Sequence, residues 1–455
     1  MPVLDQPDDH RRCVSGRLAV KFRSTRGDKT VTFDEALIQG IAEDGGLYLP
    51  DELPTFSIED FSGAQSIGKV AQILLRPFFE SSALLPELDE IIAETFSFPL
   101  PVTSLPVQHG TAGILELYHG PTAAFKDVGA AFLAACMSRL EGDVDKPLTI
   151  LVATSGDTGG AVAAAFNDRP GMRVVVLYPD GRVSDRQAHQ LTCWGDNVLS
   201  LAVQGSFDDC QAMAKAAMAD GALAAKYRFS SANSINIGRL VPQSIYYADA
   251  SLRHFRETGR KPSFVVPTGN LGNALACCMA RQFGLPIGEI VLATNANCII
   301  SDFLAGEEWL PRDSIETHAS AMDVGNPSNM ERLRHLFGEA VELNGVVSAL
   351  SVSDREIEDE ILRNFSDFGI VTCPHTATAT YTWRQLSDEQ RTASDWILVA
   401  TAHPAKFEMI VEPIIGQSIA MPEEMARTLS RERRYVEIEP DLQSVAAALE
   451  QRFSA

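Results

Sequence analysis

The sequence predicts an α/β protein whose parallel sheets are covered by helices on both faces, preceded by a smaller N-terminal domain. Three observations carry that expectation. The first is a recurring plan in which an apolar run of strand length feeds an Ala- or Gly-rich helical stretch. LTILVA (148–153) precedes TSGDTGGAVAAAF, VVVLYP (174–179) precedes a polar turn and helix, and SFVVPT (263–268) precedes GNLGNALACCMARQFG. IVLATN (290–295) and WILVAT (396–401) follow the same plan. Strands that are apolar on both faces and joined through helices are what a parallel sheet requires. The second observation is that residues 17–105 read differently. TVTFDEALIQGIAEDGGLYLPDELP gives a strand, a helix and a Gly/Pro turn, and SFPLPVTSLPV reads as the exit linker. The third is size: 455 residues, 45% of them hydrophobic, suffice for two or three domains with a sizeable core. Residues 1–16 read as a frayed tail.

Composition excludes several function classes. A formal net charge of −22 repels nucleic acid and anionic lipid, although a locally positive pocket can still take a small anion. The eight cysteines are scattered without a C-x-x-C pair, so neither a metal site nor a disulfide framework is expected. The opening MPVLDQPDDHRR lacks the apolar core of a signal peptide, and no run of about 18 apolar residues suggests a membrane span. A reduced, cytoplasmic setting is the expectation.

Ligands of open α/β sheets bind beyond the carboxyl ends of the strands, and three such ends carry unusual residues. PTGNLGN (267–273) places two glycines around Asn270 and Leu271 just before a helix, where main-chain amides can approach an anion. TSGDTGG (154–160) offers the hydroxyls of Thr154, Ser155 and Thr158 beside Asp157, enough to grip a carboxylate. An ordinary helix cap would use the same residue types. TAHPAKFE (401–408) ends a strand with Thr401 and continues through His403 and Lys406, each of which also suits a plain cap or solvated side chain. Upstream, HGPTAAFKDVGAAF (119–132) puts Lys126 at the mouth of a buried-looking helix. Burial lowers a lysine's pKa and makes it a nucleophile and base. A lysine, a phosphate cradle and a carboxylate cradle are together what pyridoxal phosphate and an amino-acid substrate need, although Lys126 alone would also suit a snorkelling surface lysine.

LELYHGPTAAFKD, TSGDTG, SANSINIGRL, PTGNLGN, AMDVGNPSN and TAHPAKF, in this order, resemble the threonine synthase family, part of the tryptophan-synthase-β-like class of pyridoxal-phosphate enzymes. The N-terminal STRGD…VTFDEALIQGIAEDGGLYLP resembles that family's leading domain, and the resemblance runs from about residue 20 to about 425. It implies two parallel-sheet, three-layer domains of that fold plus the N-terminal domain. The implied division is 17–105 for the N-terminal domain, 106–240 for a small domain with Lys126 and TSGDTG, and 241–455 for a large domain with GNLGN and Thr401. It implies that Lys126 carries the cofactor and moves protons at the substrate carbons. Gly269, Asn270, Leu271 and Asn273 would hold the cofactor phosphate, and Thr401 would face the pyridine nitrogen. The family turns O-phospho-L-homoserine and water into L-threonine and phosphate. By resemblance Asn233, Ser234 and Arg239 are candidates for the substrate phosphate, with Lys406 as a second charge. YPDGRVSDRQ adds Arg182, Ser184 and Gln187. His119 and His375 lie in matching segments as either structural or catalytic residues. Many relatives in the broader class carry asparagine at position 157, against the cofactor's 3′-oxygen. A carboxylate there must be protonated or turned away.

Two other readings stay open on the residues. A phospho-lyase releasing a 2-oxo acid would need the same lysine, arginine and glycine turn. A non-catalytic relative would be expected to have lost Lys126 or the glycines, and both are intact. Monomer and homodimer are equally compatible, and no S-adenosylmethionine-binding extension is seen.

Overall fold

In the computed structural model of the protein, which describes residues 19–143, 145–154 and 156–453, the apolar runs form interior strands of two parallel sheets. The expected tail at 1–16 lies outside the described residues. The N-terminal domain carries β1 (Phe22–Ser24), β2 (Thr30–Val31) and β3 (Tyr48–Pro50), an antiparallel sheet in the order β2-β1-β3. Its first helix, Phe33–Gln39, starts at a capping box in which the Thr32 hydroxyl accepts the Glu35 amide and the Glu35 carboxylate accepts the Thr32 amide.

The remaining strands follow as β4 (Val102–Ser104), β5 (Thr111–Glu116), β6 (Leu148–Ala153), β7 (Met172–Pro179) and β8 (Val198–Val203). Then come β9 (Phe229–Ser230), β10 (Pro262–Pro267), β11 (Ile290–Thr294), β12 (Ser348–Ser351), β13 (Asp395–Ala400) and β14 (Val436–Ile438). One sheet runs β12-β11-β10-β13-β5-β4, and the other runs β14-β8-β7-β6-β9. Every neighbouring pair in both is parallel except β4–β5. β6, β7, β8, β10, β11 and β13 are buried over their length but for Arg173 of β7, as their unbroken apolar runs require.

The division at 106 and 240–241 does not follow the sheets. β5 precedes Lys126 in the chain but pairs with β13, in the sheet of the later residues. β14 and the helix Leu442–Phe453 return to the earlier sheet against β8. Strand partners are chosen by long-range packing, which a local pattern does not encode.

The helix Lys126–Leu140 lies at the centre. Its buried residues, from Asp127 to Met137, run around the whole helix rather than along one stripe, which marks a helix packed on all sides. Phe33 and Phe79 of the N-terminal domain pack on its Phe132, at ring separations of 6.4 and 6.1 Å, and Phe78 reaches Phe283 at 6.2 Å. The N-terminal domain thus shares one core with the body. Among the described residues no helix is long and apolar enough to cross a membrane.

Candidate active site

The carboxyl ends of β6, β10 and β13 lead into Thr154, Thr268 and Thr401, which line one cleft of about 1150 Å³. Lys126 faces the same cleft because the segment before it is tied to the end of β13. The Phe125 amide donates to the Thr401 carbonyl at 2.8 Å, the His403 amide donates to the Ala123 carbonyl at 3.0 Å, and Ala124 and Ala402 form a bridge. Lys126 is the first residue of its helix, so its amine sits at the positive end of the helix dipole. Burial, with Lys406 and Arg239 nearby, holds its pKa below the ordinary lysine value, against the opposing pull of Asp157.

Asp157 is held between two lysines and a glutamine. Lys406 Nζ lies 2.8 Å from Asp157 Oδ1, and Gln187 Nε2 donates to the same oxygen at 3.0 Å. Asp157 Oδ2 lies 3.7 Å from Lys126 Nζ. Despite burial, the two ammonium groups hold the Asp157 carboxyl below the usual carboxylate range. Lys406 also donates to the Thr122 carbonyl at 2.7 Å and is 1% exposed. It stands behind Asp157 rather than among the residues lining the cleft. Thr154 is likewise engaged: its Oγ1 accepts the amides of Gly156 and Gly159, both at 2.9 Å, which is a helix cap. Thr158 still faces the cleft, and Ser155 lies outside the described residues.

The turn 269–273 is built for an anion. Among the described residues, the amides of Gly269 through Ala274 donate to no group of the protein, and they open the helix Gly272–Gln282. Leu271 takes a left-handed conformation at φ 60°, and a Cβ on Gly269 would stand 2.6 Å from Met322 Cα. Asn273 accepts Tyr246 and Tyr247 hydroxyls on its Oδ1 at 2.5 and 2.8 Å, which leaves its buried Nδ2 a donor without a partner. Asn270 holds the turn in place, donating to Ser234 Oγ at 2.6 Å and accepting the Ser328 amide at 2.6 Å.

Arg239 lines the same cleft and is 2% exposed. Its Nη1 donates to the Ala232 carbonyl at 2.6 Å, and its Nε has no partner among the described residues. A buried guanidinium without a carboxylate in hydrogen-bond reach is able to take an anionic partner. Asn233 and Ser234 line the cleft beside it. Thr401 presents a hydroxyl that bonds to no described side chain or backbone group. His375 also lines the cleft. Its Nε2 accepts the Ala321 amide at 3.0 Å, which leaves the ring proton on a buried, unpartnered Nδ1. Burial pushes its pKa down to about 3, so the ring is neutral. His119 pairs instead with Glu116 at 2.7 Å, and Arg182 reaches Glu316 at 3.7 Å; neither lines the cleft. Ser184 caps the helix Asp185–Thr192, while Gln187 reaches the site only through Asp157.

Sequence reasoning missed Asn329 and Arg332. Asn329 Nδ2 donates to the Asn270 carbonyl at 3.0 Å. Arg332 is fully buried and donates to Asn329 Oδ1 and to the carbonyls of Tyr48 and Ile235, at 2.8, 3.0 and 2.5 Å. It ties Tyr48 of the N-terminal domain to Ile235 and, through Asn329, to the turn at 269–273. Within MERLRHLF it reads as one more arginine of an amphipathic helix, and no local signal marks it.

Comparison with known proteins gives matches along most of the chain. Residues 103–402 match the model of the pyridoxal-phosphate dependent enzyme family. Residues 21–96 match that of the threonine synthase N terminus, and residues 376–449 that of the threonine synthase C-terminal part. The chain is 37% identical to threonine synthase of Escherichia coli K12 over 401 residues, covering 88% of this chain and 92% of the relative. It is 32% identical to that of Pseudomonas aeruginosa over 467 residues, covering 95% and 98%. The pyridoxal-phosphate-bound crystal structure of threonine synthase from Brucella melitensis superposes with a TM-score of 0.87 at 32% identity, covering 96% of this chain and all of that one. An aspartate racemase at 14% identity shares the fold, with a TM-score of 0.51.

Proposed function

The chain belongs to the threonine synthase family of pyridoxal-phosphate-dependent lyases, and on that premise we propose how its residues divide the conversion of O-phospho-L-homoserine and water into L-threonine and phosphate. The residues fit the cofactor. The free amides of 269–274 and the unpartnered Asn273 Nδ2 suit its phosphate. Lys126 is its covalent attachment point, and the Thr401 hydroxyl suits its ring nitrogen without imposing a charge. When bound, pyridoxal phosphate supplies the electron sink that stabilises negative charge on substrate carbons.

The chain's own residues do the rest. With its pKa held below the ordinary lysine value by burial, Lys126 is the group that takes the proton from the substrate α-carbon. Asp157 Oδ2 faces the resulting ammonium and orients it. Lys126 then serves the neighbouring carbons in turn, because a lysine stem can pivot where an arginine fork cannot. Arg239, with Asn233 and Ser234, holds the substrate phosphate and stabilises it as it leaves. Among the described residues of its loop, Thr158 carries the hydroxyl free to meet the substrate carboxylate. The division into domains follows the sheets: β6–β9 and β14 move as one body against β4, β5 and β10–β13, closing the cleft to water early and opening it late.

The single observation that carries this reading is the shared cleft, with a desolvated lysine amine, the unpartnered amides of the 269–273 turn and a buried guanidinium on its walls. Lys126→Ala should abolish both the yellow absorbance and turnover, with an unchanged melting temperature. Persisting turnover would show that another lysine serves. Product analysis with O-phosphohomoserine should give threonine and phosphate in equal amounts, whereas 2-oxobutyrate alone would favour the elimination reading.

A further inference from the structure

Two buried lysines share one carboxylate here. Lys406 takes Oδ1 of Asp157 at 2.8 Å, while Lys126 stands 3.7 Å from Oδ2, beyond a normal hydrogen bond. Lys406 is fixed at both ends of its reach: its ammonium also donates to the Thr122 carbonyl. Thr122 is fixed in turn, because its amide and hydroxyl donate to Asp127 at 3.0 and 2.5 Å. Oδ1 is filled further by Gln187, which leaves Oδ2 as the open oxygen.

A lone carboxylate beside Lys126 would have one consequence above all. In a buried site it would hold the lysine as an ammonium, which can neither attack nor accept a proton. A buried carboxylate with a counter-ion attracts a second cation less, because the counter-ion repels that cation while the carboxylate attracts it.

We propose that Lys406 is a positioning residue rather than a substrate ligand: its ammonium cancels the charge of Asp157, so that the carboxylate can orient the Lys126 amine without locking it in the protonated form. Asp157 and Lys406 then act as one neutral unit. The remaining charged or titratable groups facing Lys126 are Arg239, from the helix Ile237–Leu240, and His375, from the helix Pro374–Gln385. Asp127 follows in the same helix and is taken up by Thr122, and the buried Cys373 thiol lies in the field of Asp157. None of these neutralises Asp157, so the assignment falls on Lys406 alone.

The proposal rests on Lys126 being the cofactor lysine, and its test separates the two. In the full-length chain stripped of cofactor, acetylation of Lys126 by dilute acetic anhydride, followed by peptide mass spectrometry against pH, reports the titration of that amine. Lys406→Met should raise the Lys126 midpoint by about one pH unit or more, because Asp157 then has only Lys126 to pair with. Asp157→Asn should lower it, since the carboxylate is gone and a like charge remains. The double variant should return to within about half a unit of wild type, because a neutral pair has been replaced by neutral groups. A Lys406→Met midpoint at or below wild type would overturn the proposal, as would a double variant that keeps either single shift. If Lys406→Met does not fold, judged by its melting curve, the fall in Asp157→Asn and its reversal in the double variant decide the matter. The cofactor assignment is checked on wild type alone: added pyridoxal phosphate should protect Lys126 from acetylation, whatever the variants do.

Discussion

Two parts of the cleft wall offer hydrogen-bond donors that an anion could use, and they are built from different materials. The turn at 269–273 uses main-chain amides at a helix start and carries no charged side chain. The other uses Arg239, a buried charge with an unpartnered donor. A backbone cradle is oriented before the ligand arrives and costs little desolvation, which suits a group that stays. A desolvated guanidinium attracts a phosphate strongly and in a bidentate geometry. That suits a group whose charge grows as it departs. On the proposed assignment the cofactor phosphate rests on the first and the substrate phosphate on the second.

That contrast can be broken by substitutions that act on one corner only. The largest effect is expected from Gly269→Ala. Its Cβ would meet main-chain atoms of Met322 at 2.6 Å, so the turn must shift. Cofactor affinity, read by equilibrium dialysis, should fall about 100-fold, or ~2.8 kcal/mol. An unchanged affinity would show that the turn does not carry the cofactor phosphate. Next comes Arg239→Lys, which keeps the charge but loses the planar fork. KM for O-phosphohomoserine should rise roughly 30-fold while cofactor affinity changes less than about threefold. If instead the cofactor were lost and KM held, the two corners would have to exchange roles.

The smallest effect sharpens the contrast through a third donor, His375, which is neutral like the turn. Its folded pKa of about 3 lies below the unfolded value, so between pH 6.5 and about 3 the unfolded chain binds the extra proton. Stability therefore falls as pH falls through that window, by about 1.4 kcal/mol per pH unit from this group. His375→Gln should flatten the slope of unfolding free energy against pH by that amount. An unaltered slope would mean the ring is already charged in the fold.

Legibility of the sequence differed from element to element. LTILVA, SFVVPT and WILVAT became β6, β10 and β13, because six buried residues in a row need no partner to be recognised as a strand. TAGILE, now β5, carries a glycine and an exposed first residue, and its place between β13 and β4 is a property of those strands. In the site, the glycine turn showed itself by composition. The role of Thr154 did not, because a hydroxyl that caps a helix and one that grips a ligand have the same spelling. Arg332 was invisible, and Asn329 was not singled out within AMDVGNPSN, for a related reason: their partners are main-chain carbonyls of distant segments, and every residue has one.

By itself, then, the sequence determined the fold class, the strand-to-helix rhythm and the turns rich enough in glycine and hydroxyls to hold a ligand. These follow from local preferences that act within a few residues. Only the tertiary structure decided which of two lysines faces the cleft and which stands behind Asp157 as its counter-ion. Charge pairing depends on distance and burial, and residues 126, 157 and 406 come together only when the two sheets close on their shared helix.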